Sequence, residues 1–207
     1  MTPGYSMSNR PKLPPVRPAT PADIPQAVET LTQAFAHYTW TQHTVSATNF
    51  LDRLRATNDL FVRRIGLEQG RVWVTDDASA VAVWTTPHAP ERTRALFTEL
   101  APLFADLAGD RAPQAARARQ AMAQHRPTQP VWFLGVVGVH PDAQRGGLGR
   151  AVLAPGITAA EQDGYAAFAE TSAAGNVPFY ESLGFATRAT VDIPDNGPRS
   201  WSLLKKP

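Results

Sequence analysis

The sequence predicts an α/β (α+β) fold, one layer of β-sheet flanked by helices. Three observations lead there. Strand-like and helix-like periodicities alternate along the chain. A glycine-rich loop joins a dense apolar run to a helical pattern. No internal repeat or linker divides the region that follows the N-terminal stretch. Residues 1–15 read as a loose, flexible tail. Residues 16–207 read as one domain, long enough for a substantial core.

The elements follow in order. Val16–Arg17 suggests a short first strand, and Thr20-Pro21-Ala22-Asp23 a helix start. Ala27, Leu31, Ala34 and Phe35 then make one apolar helical face. A second helix is expected from about Ala47 to Ile65, with Leu51, Leu54, Phe61 and Ile65 inward. Arg71–Thr75 and Ala80–Thr86, around the polar loop 76–79, read as a hairpin. The alanine-rich stretch 90–125 predicts a helical insert of two helices, broken near Gly109 and Pro113. Val131–His140 reads as a central strand buried on both faces. After it come a helix over Gly146–Asp163, a strand over Tyr165–Thr171, and a short helix over Asn176–Leu183 closed by Gly184. Phe185–Val191 and Ser200–Leu204 form a last pair around the turn 194–198.

Composition narrows the function classes. Hydrophobic residues make up 43 % and charged residues 18 % of the chain, which suits a foldable globular domain. A formal charge of +2 with interspersed signs argues against nucleic-acid binding. The absence of cysteine excludes disulfides, thiolate-bound zinc and a cysteine nucleophile. It fits a cytoplasmic location. The proline-containing first fifteen residues lack the apolar core of a signal peptide. The longest apolar stretch, Val131–Val139, is far short of the ~20 residues of a membrane helix. His43, His88 and His125 have no metal-ligand spacing, so no metal site is expected.

The most informative segment runs from Val137 to Arg150. A strand ends at Pro141, and Gln144-Arg145-Gly146-Gly147-Leu148-Gly149-Arg150 then opens a helix. Unpaired N–H groups of a first helical turn, together with the helix dipole, make an anion site. Arg145 and Arg150 add charge for a diphosphate. The alternative is an ordinary strand–loop–helix connection in which the glycines serve the turn. The segment lacks Gly-Lys-Ser/Thr and is not Gly-x-Gly-x-x-Gly, so neither a P-loop nor a dinucleotide fingerprint is present.

Gln144, Gly147 and Gly149 fill the fixed places of a Gln/Arg-x-x-Gly-x-Gly/Ala loop, after a strand ending in Val-x-Pro. Asn176, Phe179, Tyr180, Gly184 and Phe185 fill a later Asn…Phe-Tyr-x-x-x-Gly-Phe segment. With both motifs in this order, the chain resembles the GNAT superfamily of acetyltransferases. At finer grain it resembles the puromycin N-acetyltransferases, which confer antibiotic resistance. That likeness runs through residues 80–87, His125-Arg126-Pro127, Trp132-Phe133-Leu134, Glu170-Thr171-Ser172-Ala173 and Pro178-Phe179-Tyr180-Glu181. It departs at 39–42 and 90–121 and in the tail before Val16.

The resemblance implies a GNAT fold, with a mixed, mostly antiparallel sheet. It implies acetyl-CoA as co-substrate, no metal, and direct acetyl transfer to a small-molecule amine, such as the α-amino group of puromycin. A GNAT enzyme for another amine is the nearest alternative, and a non-catalytic acetyl-CoA sensor a further one. Val137 would donate its N–H to the thioester oxygen, Gly138 would lie between the donors, and Val139 would pair with the pantetheine arm. Tyr180 would protonate the leaving thiolate, or is a packing residue beside Phe179. Glu170 would orient or deprotonate the amine, or forms a salt bridge at its strand end. Asn176 would cap its helix, bond the cofactor arm, or both. Phe35, Tyr38, Trp40, His43 and Trp84 are candidates for a flat acceptor pocket, or are core.

Overall fold

The structure, a computed structural model, describes residues 13–207. Most of the expected N-terminal tail, residues 1–12, lies outside the described residues. Seven strands form one sheet: β1 (Val16–Pro18), β2 (Arg71–Thr75), β3 (Ala80–Thr85), β4 (Trp132–Val139), β5 (Ala167–Thr171), β6 (Ala186–Asp192) and β7 (Arg199–Lys205). Their order is β1-β2-β3-β4-β5-β7-β6. Every neighbouring pair is antiparallel except β4–β5, which is parallel.

Among the described residues seven α-helices accompany the sheet: α1 (Ile24–Phe35), α2 (Thr39–Thr44), α3 (Phe50–Asp59), α4 (Pro90–Ala108), α5 (Ala112–Ala123), α6 (Leu148–Gln162) and α7 (Val177–Glu181). The approach to α1 is fixed by charge. Asp23 accepts from the Thr20 N–H at 2.7 Å and from Arg17 at 2.8 Å, and Pro25 lies in the helix's first turn. The Arg17 guanidinium holds the Asp23 carboxyl far below the usual carboxylate range.

The predicted helix over Ala47–Ile65 is α3 continued by a π-helical segment, Leu60–Leu67. Leu54 and Ile65 are buried as expected, but Leu51 is exposed. Leu51 lies in the first turn of α3, before the π segment, whose wider turn still leaves Ile65 inward. The insert is two helices with the break at Gly109. The short α2 has no counterpart in the sequence reading, because six residues cannot show a helical period.

The sheet separates two cores. On one face α6 packs on β2, β3 and β4, closing a cluster that includes Trp84, Leu134, Val152, Leu153 and Leu203. On the other, α1 packs on β3 and β4 around Leu31, Val62, Val74 and Val83. The π segment and α4 share Ile65, Leu96 and Leu100 on that second side. The indole of Trp84 lies under Gly156 of α6, where any Cβ would come within 2.5 Å of it.

Candidate active site

Parallel pairing of β4 with β5 covers only Trp132–Leu134 against Ala167–Ala169. Beyond it the strands part, and among the described residues no strand pairs with the rest of β4 on that side. β4 is therefore only partly buried along its upper half, not enclosed on both faces as the apolar run suggested.

A bulge decides which amides face the split. Val83 pairs with Val136 and Trp84 with Leu134, so Gly135 is the extra residue. Below it the Trp132 N–H donates to Ala166 of the β5 side at 3.0 Å. Above it the His140 N–H donates to Ser79, next to β3, at 2.8 Å. By alternation Gly138 and Val136 turn their backbone groups to β3, while Val137 and Val139 turn theirs into the split. Without the bulge the assignment would be reversed. The Gln144 side-chain amide donates to the Val139 carbonyl at 3.2 Å and joins the strand end to the loop beyond.

That loop folds tightly. Arg145 has φ +65° and Gly147 has φ +89°, just before α6. Among the described residues, the N–H groups of residues 145–150 find no acceptor outside the helix, and Gln144, Arg145, Gly146 and Gly147 are exposed. Leu148 buries its side chain and presents only its amide. Gly149 lies between Phe179 and Val139. Arg145 is exposed. Arg150 instead bonds the Ser182 hydroxyl at 2.6 Å, so it joins α6 to the end of α7.

After β5, α7 carries Tyr180, 3 % exposed and flanked edge-on by Phe179 and Phe185. Burial pushes its phenol well above the usual value, and the neighbouring Tyr38 adds to the rise. Asn176 stands at the N-cap position without making a cap bond; its Nδ2 donates to Thr171 Oγ1 at 3.2 Å. Thr171 Oγ1 also pairs with the Tyr38 hydroxyl at 3.0 Å, and that hydroxyl accepts from the Ser172 N–H. A polar chain thus crosses the end of β5. Thr171 escaped the sequence reading because nothing local marks a threonine at a strand end.

The family model described as the acetyltransferase (GNAT) family matches residues 82–185, half of the chain, from β3 through the loop and α7. This chain belongs to the GNAT acetyltransferase family. The fold agrees. The histone acetyltransferase HPA2 and related acetyltransferase of Corynebacterium glutamicum superposes with a TM-score of 0.70 at 25 % identity, covering 95 % of this chain and 97 % of that one. The ribosomal-protein-S18-alanine N-acetyltransferase of Escherichia coli shares the fold at 17 % identity, with a TM-score of 0.54 and coverage of 93 % and 92 %. So does yncA of Salmonella typhimurium, solved with its cofactor acetyl-CoA, at 19 % identity, a TM-score of 0.53 and the same coverage.

In this GNAT enzyme the acceptor-side candidates separate. Phe35 packs edge-on against Tyr38 at 5.2 Å and lies near Gly138, beside the split. Trp40 instead joins a small cluster with Ala118, Met122 and Ile193. His43 is buried against Gly197, in the turn between β6 and β7. Trp84 is a correction: it is fully buried beneath α6 and cannot line a pocket. The Glu170 carboxylate receives both its oxygens' hydrogen bonds from Arg126, at 2.8 and 2.7 Å. The salt-bridge reading is therefore realised, with Arg126 supplied by the loop after α5. Among the described residues no group of three or more His, Asp or Glu could hold a metal ion, and no helix is long and apolar enough to cross a membrane.

Proposed function

We propose that this GNAT enzyme is an acetyl-CoA-dependent N-acetyltransferase acting through a ternary complex on the α-amino group of puromycin or a close analogue. The observation that carries the acetyl-CoA part is the split itself. The amides of Val137 and Val139 turn into it, and among the described residues the amides of 145–150 are left without an acceptor at the start of α6; Tyr180 on α7 is taken to complete the site. Those amides, with Arg145, suit a diphosphate. Val139 and Asn176 suit an extended amide-bearing arm. Acetyl-CoA, when bound, supplies the acetyl group as a thioester.

The chain's own groups then have defined tasks. The Val137 N–H holds the thioester oxygen as negative charge grows on it, a contact worth about 3 kcal/mol of barrier when such a donor is removed. Tyr180 keeps its proton at neutral pH because burial disfavours the phenolate, so it can donate to the departing sulfur. Glu170, locked by Arg126, orients the amine by charge. The amine's proton leaves through water. An α-amine titrates near about 8 and is partly neutral already.

The puromycin part rests on the sequence resemblance, which extends beyond the GNAT motifs to Arg126, Trp132-Phe133-Leu134 and Glu170-Thr171-Ser172. A thiol-release assay with acetyl-CoA tests both parts. Turnover with puromycin is expected. Turnover with other amines only would remove puromycin and leave the acetyltransferase, whereas failure to bind acetyl-CoA would remove the cofactor assignment.

A further inference from the structure

We infer that the groove at the foot of β4 and β5, at the opposite end of these strands from the split, is a second ligand site, for a small flat molecule carrying one carboxylate. It stands apart from the acetyl-transfer reading and uses none of the residues given a task there.

The groove follows from how the two strands begin. Loop 127–131 leads into β4 and residues 164–166 lead into β5, side by side because the strands run parallel there. The Trp132 N–H donates to the Ala166 carbonyl at 3.0 Å and joins the two loops at their inner ends. Between them is a recess of roughly 410 Å³, a size that takes a small molecule. Pro127, Pro130, Val131 and Leu204 give it apolar walls, and Tyr165 and Arg188 also line it. β4 is eight residues long, so at ~3.3 Å per residue the groove lies about 25 Å from the glycine-rich loop.

Charge names the occupant. Arg188 is the extra residue of a bulge in the edge strand β6, since Thr187 pairs with Leu203 and Ala189 with Ser202. A bulge re-aims the side chain it carries. Among the described residues Arg188 makes no ion pair, whereas Arg126 is bound to Glu170 and Lys205 to Glu161. None of the lining residues is acidic. Asp163, next in the chain to Gly164, is taken up by the Trp132 Nε1–H and by His88, each at 3.0 Å. The N–H groups of Thr128 and Gln129, both lining residues, find no acceptor among the described residues. One guanidinium with two amides matches one carboxylate, whereas a phosphate dianion calls for a second cation. Proline and aliphatic walls beside a tyrosine suit a flat ring. Tyr165 is itself braced, its ring edge-on to His88 with centroids 6.1 Å apart.

The test uses 2-naphthoate and its uncharged counterpart 2-naphthylmethanol as probes of the full chain. Calorimetry reads affinity, and amide NMR shifts read location. Naphthoate is expected to bind and to shift amides of residues 127–131 and 164–166. Its Kd should stay within about twofold when acetyl-CoA is in excess. Arg188→Gln should weaken it about tenfold or more, the worth of a hydrogen bond to a charged group. Thr128→Glu, which sets a carboxylate beside the groove, should weaken it as well. Both positions are exposed, and thermal melting checks that each variant is folded. The uncharged probe should bind at least about tenfold more weakly and be indifferent to Arg188→Gln. Absence of naphthoate binding up to about 10 mM overturns the site. So does displacement by acetyl-CoA, a set of shifts elsewhere, equal affinity for the two probes, or naphthoate affinity that both variants leave unchanged. The thiol-release assay decides acetyl transfer separately, whichever way the naphthoate result falls.

Discussion

Tyr180 is the single residue to which the proposed mechanism gives the most chemistry. Its hydroxyl sits in a nearly closed aromatic setting, so the neutral form is favoured. Tyr180→Phe is expected to lower kcat by at least about tenfold, within the range for general acids, and to leave acetyl-CoA affinity nearly unchanged. Steady-state kinetics beside calorimetry separates the two, and normal turnover would remove Tyr180 from the mechanism. The same burial links to stability. An unfolded phenol ionises near about 10, while the folded one stays protonated above that. Its stabilising share is intact below pH 10 and is lost as pH climbs toward the raised folded value. Urea unfolding from pH 9 to 11.5 should show a steeper fall for the unsubstituted protein than for Tyr180→Phe. Equal slopes would mean the phenol is not shielded. Glu170 makes a second residue-scale test. If it orients the amine, Glu170→Gln raises KM for the acceptor and keeps the shape of the kcat–pH profile; disappearance of an acid limb would make it the base. Tyr180 was legible because it sits in a motif. The ion pair at Glu170 was legible only as one of two options, since Arg126 is 44 residues away in the chain.

At the scale of elements, two short irregularities do most of the work. One is the β4 bulge, and a glycine inside an apolar strand is its sequence signal. The signal says that something bends at Gly135, but not which amides are re-aimed, because that depends on the register with β3. The other is the turn into α6. Gly147 has φ +89°, which a side chain adopts at a cost of about 1–2 kcal/mol. Gly147→Ala should weaken acetyl-CoA binding by about fivefold or more, with a Tm change of a few degrees, as calorimetry and melting would register. Unchanged affinity would detach the loop from the diphosphate. Boundaries of strands and long helices followed the periodicity closely, whereas α2 and the π segment did not. Six residues are too few for a period, and a π turn imitates a continuing α-helix.

For the whole molecule, the question is how two faces of one sheet are given different tasks. The α6 face is closed by intimate packing: Gly156 lies so close to Trp84 that Gly156→Ala should cost about 1–3 kcal/mol, as overpacking does. Chemical denaturation measures it, and a loss under about 0.5 kcal/mol would mean that the helix can shift freely. The opposite face is covered by α1, the π segment and the insert, held at several points. Arg53 donates to the Asp106 carbonyl at 2.7 Å, Arg64 pairs with Glu99, and Arg126 with Glu170. These are partly exposed contacts and contribute little stability each. Their effect is to hold the insert beside the bulge.

By itself, the sequence determined the family, the strand–loop–helix segment from Val137 to Arg150, and the tyrosine on α7. Each of these is local: periodicity, a loop and a motif lie within a few turns of chain, where neighbours in sequence are neighbours in space. Only the tertiary structure decided that Val137 and Val139 face the split, that Glu170 is held by Arg126, and that Trp84 is core. It also set the ring of Phe61 over Gly135 at the bulge. Those outcomes depend on register and on contacts across tens of residues, and no pattern along one strand or helix encodes what will be packed against it.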